Sequence, residues 1–263
     1  MTVYNLGSIN LDHIYRLPHL VAAGQTITAS TYQVGLGGKG ANQSVAIAKA
    51  GGCVSHIGAF GKSDSDYLTQ ISSSGVDISH IALLDGASGH AVVMVDEASA
   101  ENQIVICPAA NQQITLTQID TALAAAKPGD WALAQNETCL VLDYLTKAKQ
   151  LGLKICYSAA PFVAEQTAEI IKITDLLIVN EGEAAELSAY IGYDITELGL
   201  PHLIITLGAK GARYIGVEGK HFVPAIPVQA VDTTGAGDTF LGYLLAGISQ
   251  STPMIESLKM AVC

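Results

Sequence analysis

Residues 131–157 read WALAQNETCLVLDYLTKAKQLGLKICY. An apolar run at Trp131–Ala134 is followed by a helix-like stretch at Leu140–Leu151, which Gly152 closes, and then by a second apolar run at Lys154–Tyr157. Runs that are apolar on both faces and separated by helices are typical of buried parallel strands. This stretch therefore predicts an α/β fold, with a mainly parallel central sheet and helices on both of its faces.

The same rhythm recurs along the rest of the chain, so we expect one domain over residues 1–263. The further strand candidates are the apolar runs Val3–Leu6, Val54–Ile57, Ala91–Val95, Leu176–Val179 and Leu203–Leu207. The further helix candidates are Ala41–Ala50, Glu181–Tyr190, Thr239–Gly247 and Pro253–Cys263.

Two segments break this rhythm, residues 13–35 and residues 86–108. Thr26–Val34 is rich in β-branched and aromatic residues, and Gly89–Cys107 reads as two strands joined by a polar turn. We expect the two segments to pair as a small β-sheet beside the main one. Two interpretations of that sheet stay open, a lid over a site or an edge of the core.

The composition excludes several classes of protein. The formal net charge is −11, and 14% of the residues are charged against 49% that are hydrophobic. The negative charge argues against nucleic acid or an anionic membrane as a partner, and the apolar content argues against a disordered chain. No apolar run approaches the ~18 residues of a membrane-spanning helix, and the N-terminus lacks the pattern of a signal peptide.

Five cysteines are scattered without a CxxC pair, and seven histidines show neither HxH nor HxxxH spacing. Separated cysteines in odd number are typical of reduced thiols in a cytoplasm. We therefore expect a soluble cytoplasmic protein whose histidines do not bind a metal ion.

Polar residues follow several of the predicted strands directly. In open parallel sheets, ligands bind in the crevice outside the carboxyl ends of the strands. The repetition of this arrangement predicts a site at that edge. The four sets are Asn10 with Asp12, Gln135 with Glu137, Asn180 with Glu183, and Gly208–Gly211.

A glycine-rich stretch, GGKGAN at residues 37–42, leads into the helix Ala41–Ala50. Glycines let the backbone approach a ligand closely, and Asn42 lies where it could cap the helix or bind hydroxyl groups. An ordinary turn with a capping residue is the alternative. The formal GxGxxG match at residues 35–40 lacks the acidic residue that a dinucleotide site requires about 20 positions later.

A second glycine-rich stretch, DTTGAGD at residues 232–238, precedes the apolar residues of the helix Thr239–Gly247. We expect the helix to begin near Gly237, where free N–H groups and the helix dipole stabilise a phosphoryl group. Asp238 would then take the proton of a hydroxyl that attacks this group. Asp238 as a plain N-cap is the alternative.

These stretches resemble a known family. GGKGANQSVAIAKAG at residues 37–51 and DTTGAGD resemble the two signature regions of the ribokinase-like (PfkB) carbohydrate kinases. Asn180–Glu183 resembles the NxxE element of that family, and Thr206–Gly211 resembles its nucleotide loop. The resemblance runs in register over essentially the whole chain.

The resemblance implies a role for each matching position. The residues that it implies for binding the sugar hydroxyls are Asn10, Asp12, Gly38, Lys39, Asn42, Glu137 and Asp238. Those that it implies for contacting ATP are Asn180, Thr206, Gly208, Gly211 and Gly237. Gly235, Ala236 and Gly237 would form an anion hole, with Asp238 as the catalytic base.

The resemblance also implies ions and a partner. Glu183 would help to place Mg²⁺ indirectly, and Asp232 with Thr234 would contribute to a monovalent-cation site, usually K⁺. The β-rich segments would form a lid that also pairs two subunits into a homodimer.

Three features depart from the family pattern. Tyr243 stands where the second signature has a small residue, and Ser158–Pro161 replaces the usual Asn-Pro-Ala-Pro. The sequence stops at Cys263, inside an amphipathic stretch, whereas family members continue. We therefore expect that the C-terminal part of the domain is missing from this sequence.

The resemblance predicts an ATP-dependent kinase for the primary hydroxyl of a small sugar, with D-ribose as the first candidate and D-ribose 5-phosphate as its product. A related kinase for fructose, a deoxysugar or a nucleoside is an alternative. A non-catalytic sugar-binding regulatory protein is an alternative of another class.

Overall fold

A computed structural model describes residues 1–99, 101–228 and 233–263 of the chain. The strands are β1 (Thr2–Leu6), β2 (Asn10–Leu17), β3 (Thr31–Gly37), β4 (Cys53–Gly61), β5 (Asp77–Leu84), β6 (Gly89–Asp96), β7 (Asn102–Cys107), β8 (Trp131–Ala134), β9 (Lys154–Ser158), β10 (Leu176–Asn180), β11 (His202–Thr206), β12 (Gly211–Gly216) and β13 (Gly219–Pro224). The helices are α1 (Lys39–Lys49), α2 (Leu68–Ser72), α3 (Leu116–Leu123), α4 (Val141–Gln150), α5 (Ala164–Ile170), α6 (Glu181–Ile191), α7 (Ala236–Ser249) and α8 (Met254–Ala261). Within these ranges, none of the helices combines the length and the apolar character needed to cross a membrane.

In the described part of the chain, a nine-stranded sheet has the order β13-β12-β11-β10-β9-β8-β1-β4-β5. From β11 across to β5 every neighbouring pair runs parallel, and β12 and β13 form an antiparallel hairpin at the edge. The strands on one side of β1 come soon after it in sequence, and those on the other side come much later. A switch of this kind opens a crevice at the carboxyl end of β1, where ligands bind in open α/β sheets.

Helices cover both faces of this sheet, so the predicted α/β fold is confirmed. Alternate side chains of β1 point to opposite faces, with Val3 in one buried apolar cluster and Tyr4 in the other. Helices α3 to α6 contribute to the cluster that contains Tyr4, and α1, α2, α7 and α8 contribute to the cluster that contains Val3.

A separate four-stranded sheet has the order β3-β2-β6-β7, and both predicted β-rich segments contribute to it. The run Ala91–Val95 belongs here, in β6. Only the second part of the β-rich stretch Thr26–Val34 is a strand, because β3 begins at Thr31, which pairs with Arg16. Its partner β2 ends at Leu17, since Pro18 has no N–H group to continue the ladder.

The start of α1 packs directly on the backbone at the end of β1. A Cβ atom built on Gly40 would lie 2.4 Å from the Cα of Gly7, closer than any real contact. The amide of Asn5 fastens the same helix turn, since its Nδ2 donates to the carbonyl of Gly40 over 2.9 Å. Glycine at this position therefore lets the GGKGAN stretch lie against the switch point of the sheet.

We expect Gly40→Ala to lower the free energy of unfolding by about 1–3 kcal/mol, because the added methyl group forces two backbone segments apart. Urea unfolding followed by circular dichroism measures this loss. Gly35→Ala is the control, because a Cβ atom on Gly35 meets nothing within 4 Å. Equal stability of the two variants would contradict the packing described here.

Candidate active site

The carboxylate of Glu137 follows β8 and lies beside the end of β1, with its side chain only 12% exposed. Its Oε2 accepts hydrogen bonds from the Ser8 hydroxyl and, over 3.0 Å, from the backbone N–H of Lys39. Its Oε1 lies 3.3 Å from Nζ of Lys39. Glu137 therefore ties together the segments that follow β1 and β8 and the first residue of α1.

Asp238 lies in the first turn of α7, whose N-cap is Gly235 in the left-handed conformation (φ 71°). Gly235 itself has no side chain with which to cap the helix. The Asp238 carboxylate instead contacts α1, where Oδ1 accepts from Nε2 of Gln43 over 2.8 Å and Oδ2 from Nδ2 of Asn42 over 3.3 Å. The alternative that Asp238 and Asn42 cap their helices is therefore wrong. The N-cap positions belong to Gly235 and Gly38, and the two side chains bond to each other between the helices.

Asn10 and Asp12 lie at the start of β2, where the small sheet begins. Asn10 is buried, and its Oδ1 accepts a hydrogen bond of 2.8 Å from Nδ2 of Asn111. The Asn111 Oδ1 in turn accepts from the backbone N–H of Ile9 over 3.0 Å. Asn111 therefore fixes the orientation of the Asn10 amide. The half-buried carboxylate of Asp12 lies over Gly37, where a Cβ atom would come within 2.1 Å of Oδ2.

A second group of predicted residues lies at the ends of β10 and β11. Asn180 caps α6 with its Oδ1, which accepts from the N–H of Glu183 over 2.9 Å. The Glu183 carboxylate accepts from the N–H of Asn180 over 2.8 Å and completes a capping box. Asn180 is paired in register with Thr206, and the turn of Gly208–Lys210 then leads into β12 at Gly211.

The charge of Lys39 acts on carboxyl groups of both parts of the site, the part around Glu137 and Asp238 and the part at the ends of β10 and β11. Burial raises the pKa of Asp12, Asp238 and Glu183, and in each case the charge of Lys39 opposes that rise. The nearby Glu137 carboxylate contributes further to the raised pKa of Asp12 and Asp238. The arrangement therefore combines carboxyl groups whose pKa values are raised by burial with the ammonium of Lys39, whose charge opposes that rise.

The structure brings most of the predicted positions to one edge of the sheet. Gly38 precedes α1, and Thr234 and Gly235 precede Ala236 and Gly237 at the start of α7. Asp232 lies outside the described residues. Among the ranges that are described, no group of three or more His, Cys, Asp or Glu side chains is close enough to hold a metal ion.

Two of the departures from the family pattern also lie near this edge. The stretch Ser158–Pro161 begins with the last residue of β9. Asn136 holds its other end, because its N–H donates to the carbonyl of Ala160 and its Nδ2 donates to that of Pro161, each over 3.0 Å. Tyr243 is half-buried on α7. We find no consequence of either departure for the position of Asp238.

Sequence reasoning missed the residues that orient the site, namely Ser8, Gln43 and Asn111. It also placed Gln135 in the crevice, whereas the side chain is fully buried beneath it. A polar residue inside an otherwise apolar pattern is the available signal, as for Gln43 and Ser44 in α1. Such a residue indicates that its side chain has a hydrogen-bond partner, but the sequence does not identify which residue that is.

His56, on β4, anchors the polar residues beneath the site and is fully buried. Its Nε2 lies 3.1 Å from the carbonyl oxygen of Gly7, and its Nδ1 lies 2.8 Å from the hydroxyl of Ser44. A carbonyl only accepts, so Nε2 carries the proton and Nδ1 accepts from Ser44. Burial lowers the pKa of His56 to about 4, which keeps the ring neutral at pH 7.

A family model described as pfkB family carbohydrate kinase matches residues 2–263. The chain is 33% identical to a ribokinase of Haemophilus influenzae over 98% of its own length and 89% of the relative. It is 28% identical to a deoxyribokinase of Salmonella typhi over 100% of its own length and 90% of the relative.

A solved structure of ribokinase from Cryptococcus neoformans, in complex with ADP, superposes on the chain with a TM-score of 0.83. That match has 33% sequence identity and covers 99% of this chain and 91% of the other.

We expect stability to depend on pH through His56. Between pH 6.5 and 4, the unfolded chain takes up a proton at this residue that the folded protein refuses, so the free energy of unfolding falls as the pH falls. The gap between the two pKa values corresponds to about 3 kcal/mol. Urea unfolding at pH 7.5 and at pH 4 measures how much the free energy of unfolding falls on acidification. This fall should be smaller in His56→Gln than in the wild type, by about the same amount.

The control is His221→Gln, which replaces an exposed histidine on β13. This variant should lose as much stability as the wild type on acidification. The assignment of a buried neutral ring to His56 would be wrong if both variants behaved like the wild type.

Proposed function

Because this chain belongs to the pfkB family of carbohydrate kinases, an ATP-dependent group of enzymes, we propose that it phosphorylates the primary hydroxyl of D-ribose and yields D-ribose 5-phosphate. The ribokinases of Haemophilus influenzae and Cryptococcus neoformans support ribose, since each matches nearly the whole chain at 33% identity. The Asp238 carboxylate is the structural observation that supports this proposal most. It lies between α1 and the start of α7, at the crevice beside Glu137 and Lys39.

The proposed sugar site lies where α1, β2 and the segment after β8 meet. Carboxylates and amides both accept from and orient hydroxyl groups, and Lys39 adds a donor. Several such groups at one crevice suit a free polyhydroxy sugar. The residues proposed to bind it are Asn10, Asp12, Gly38, Lys39, Asn42, Glu137 and Asp238.

Asp238 is the proposed base. Burial raises the pKa of its carboxyl, which brings its proton affinity closer to that needed to accept a hydroxyl proton near neutral pH. As the hydroxyl oxygen bonds to the γ-phosphorus of ATP, the bond from that phosphorus to ADP breaks and the proton passes to Asp238. The first turn of α7, with Gly235, Ala236 and Gly237, would stabilise the charge that gathers on the phosphoryl group.

ATP is proposed to lie along the ends of β10 and β11, against Asn180, Thr206, Gly208, Gly211 and Gly237. Mg²⁺ keeps several waters and takes one or two carboxylates, so an indirect contact with Glu183 suits it. Oδ1 of Asn180 and Oε2 of Glu183 already accept the backbone hydrogen bonds of the capping box, so Oε1 of Glu183 is the oxygen proposed for such a contact. The ion would neutralise charge on the phosphates. We propose Thr234 and Asp232, the latter outside the described residues, for K⁺.

A deoxysugar is the second candidate substrate, because a deoxyribokinase covers the whole chain at 28% identity. A fructose or nucleoside kinase and a non-catalytic sugar-binding protein are the remaining alternatives. An assay of ADP release with a panel of sugars, described next, separates all of them from a ribose kinase.

We expect ADP release from MgATP to depend on D-ribose and to be stimulated by K⁺. A coupled assay measures the rate with D-ribose, 2-deoxyribose, fructose and adenosine, each with and without K⁺. Asp238→Asn should lower kcat by about 10²–10⁴-fold, because the amide cannot accept the proton. Titration calorimetry should show that this variant still binds ribose.

If another sugar were turned over in preference to ribose, that sugar would be the substrate and the proposal of ribose would be wrong. Sugar binding without turnover by the wild type would favour the non-catalytic alternative. An Asp238→Asn variant with a nearly unchanged rate would remove Asp238 from the role of base.

We also propose that the small sheet covers the sugar site and pairs two copies of the chain in the cytoplasm. All six residues of β7 are exposed, including Ile104 (53%) and Ile106 (56%). In the described part of the sheet β7 is the outer strand, paired only with β6. Exposed apolar residues on an unpaired edge favour association with a second copy.

Sedimentation velocity tests the pairing. We expect the wild type to sediment as a dimer and Ile104→Lys to sediment as a monomer, since burial of a charge on this edge is costly. Val217→Lys, at a site 75% exposed after β12, is the matched control and should remain dimeric. A wild-type monomer, or a dimer that survives Ile104→Lys, would contradict this surface.

A further inference from the structure

The base is held by a residue that does not belong to the proposed sugar site. Gln43 is 1% exposed, and its Nε2 donates to Oδ1 of Asp238 over 2.8 Å. The other contact of the carboxylate, from Asn42 to Oδ2, is longer at 3.3 Å. Oδ1 is thus the oxygen that the protein holds most closely.

The orientation of the Gln43 amide is fixed from behind by a second glutamine. Nε2 of Gln135, which is fully buried, donates to Oε1 of Gln43 over 2.7 Å and to Oδ1 of Asn5 over 2.9 Å. Reversal of the Gln43 amide would place its oxygen against the carboxylate and its NH₂ group against that of Gln135. The contacts therefore allow one orientation, in which Gln43 donates to the base.

The chain of hydrogen bonds continues to a fixed end below the site. Nδ2 of Asn5 donates to the hydroxyl of Ser44 over 2.8 Å. The Ser44 hydroxyl donates to the neutral ring of His56, which donates to the backbone carbonyl of Gly7. Asn5, Ser44 and His56 are all fully buried, so water does not compete for these bonds.

We propose that Gln43 is the positioning residue of Asp238, and that the buried chain Gln135–Asn5–Ser44–His56 behind it holds the base in one orientation. This inference rests on the proposed function, in which Asp238 is the base. With Oδ1 held by Gln43, Oδ2 is the oxygen that receives the hydroxyl proton, on the side of Asn42 and the sugar site. Gln43 itself neither gains nor loses a proton in this step.

The first test is Gln43→Met, which keeps the length of the side chain and removes its donor. Single-turnover quench-flow measures phosphoryl transfer itself, because product release can limit kcat. We expect the transfer rate to fall about 10²-fold, the cost of a displaced catalytic group, while the KM values for sugar and ATP change less than about 2-fold. Calorimetry should show unchanged sugar affinity.

The second test is Gln43→Glu, which retains an oxygen for Gln135 and sets a carboxyl group against Asp238. The charged groups that face Asp238 in the described structure are Lys39 on α1 and Glu137 after β8. A further carboxylate favours the protonated form of Asp238, so the acid limb of the pH–rate profile should move to higher pH. This test decides the proposal if Gln43→Met fails to fold.

The matched control is Gln118→Met. Gln118 is likewise a glutamine on a helix and is partly buried, but its Nε2 donates to the carbonyl oxygens of Gly58 (2.6 Å) and His80 (2.8 Å), away from the base. This variant should transfer phosphate at the wild-type rate with an unmoved acid limb, even if its Tm falls.

Three results would overturn the proposal: a wild-type transfer rate in Gln43→Met, an unmoved acid limb in Gln43→Glu, or an equal loss of rate in Gln118→Met. Wild-type turnover and its loss in Asp238→Asn are measured alongside. If those fail, the proposed function fails. If they hold and the Gln43 variants behave like the wild type, only this inference fails.

Discussion

The contact between the backbones of Gly7 and Gly40 is the constraint on which the rest of the site depends. It brings the first turn of α1 against the end of β1, at the switch point of the sheet. From that position α1 presents Lys39 to Glu137 on one side and Gln43 to Asp238 on the other. The helix therefore joins two segments of the candidate site that are distant in the sequence, the one after β8 and the start of α7.

The sheet could be predicted because its strands carry their own signal. Runs such as Trp131–Ala134 are buried on both faces, and their apolar sequences show this without knowledge of any neighbour. The position of the candidate site could also be predicted, because polar residues at the carboxyl ends of parallel strands lie at one edge of the sheet. The signature stretches then indicated Asp238 and Lys39 through their resemblance to the family. Assignments of this kind depend on local sequence alone.

The buried polar chain could not be predicted, because each of its bonds joins residues distant in sequence. Gln135 and Asn5 are 130 positions apart, and their identities alone do not indicate that they meet. The capping role of Asn180 and Glu183 was not predicted either. Their NxxE spacing suits both a capping box and a phosphate site, and the structure shows the first while the second stays a prediction. Local patterns of this kind do not separate stability from function.

The strand β2 has a consequence for cooperativity. It begins with Asn10 and Asp12 and continues without a break into the sheet whose outer strand is proposed to pair two copies. In the proposed assembly, one strand therefore carries two of the sugar-binding residues and belongs to the sheet that pairs the subunits. Binding of the sugar and association of the subunits are then coupled reciprocally. If association changes the sugar affinity by some factor, sugar binding changes the association constant by the same factor. A kinase built in this way would bind its substrate more tightly, or more weakly, as its own concentration rises.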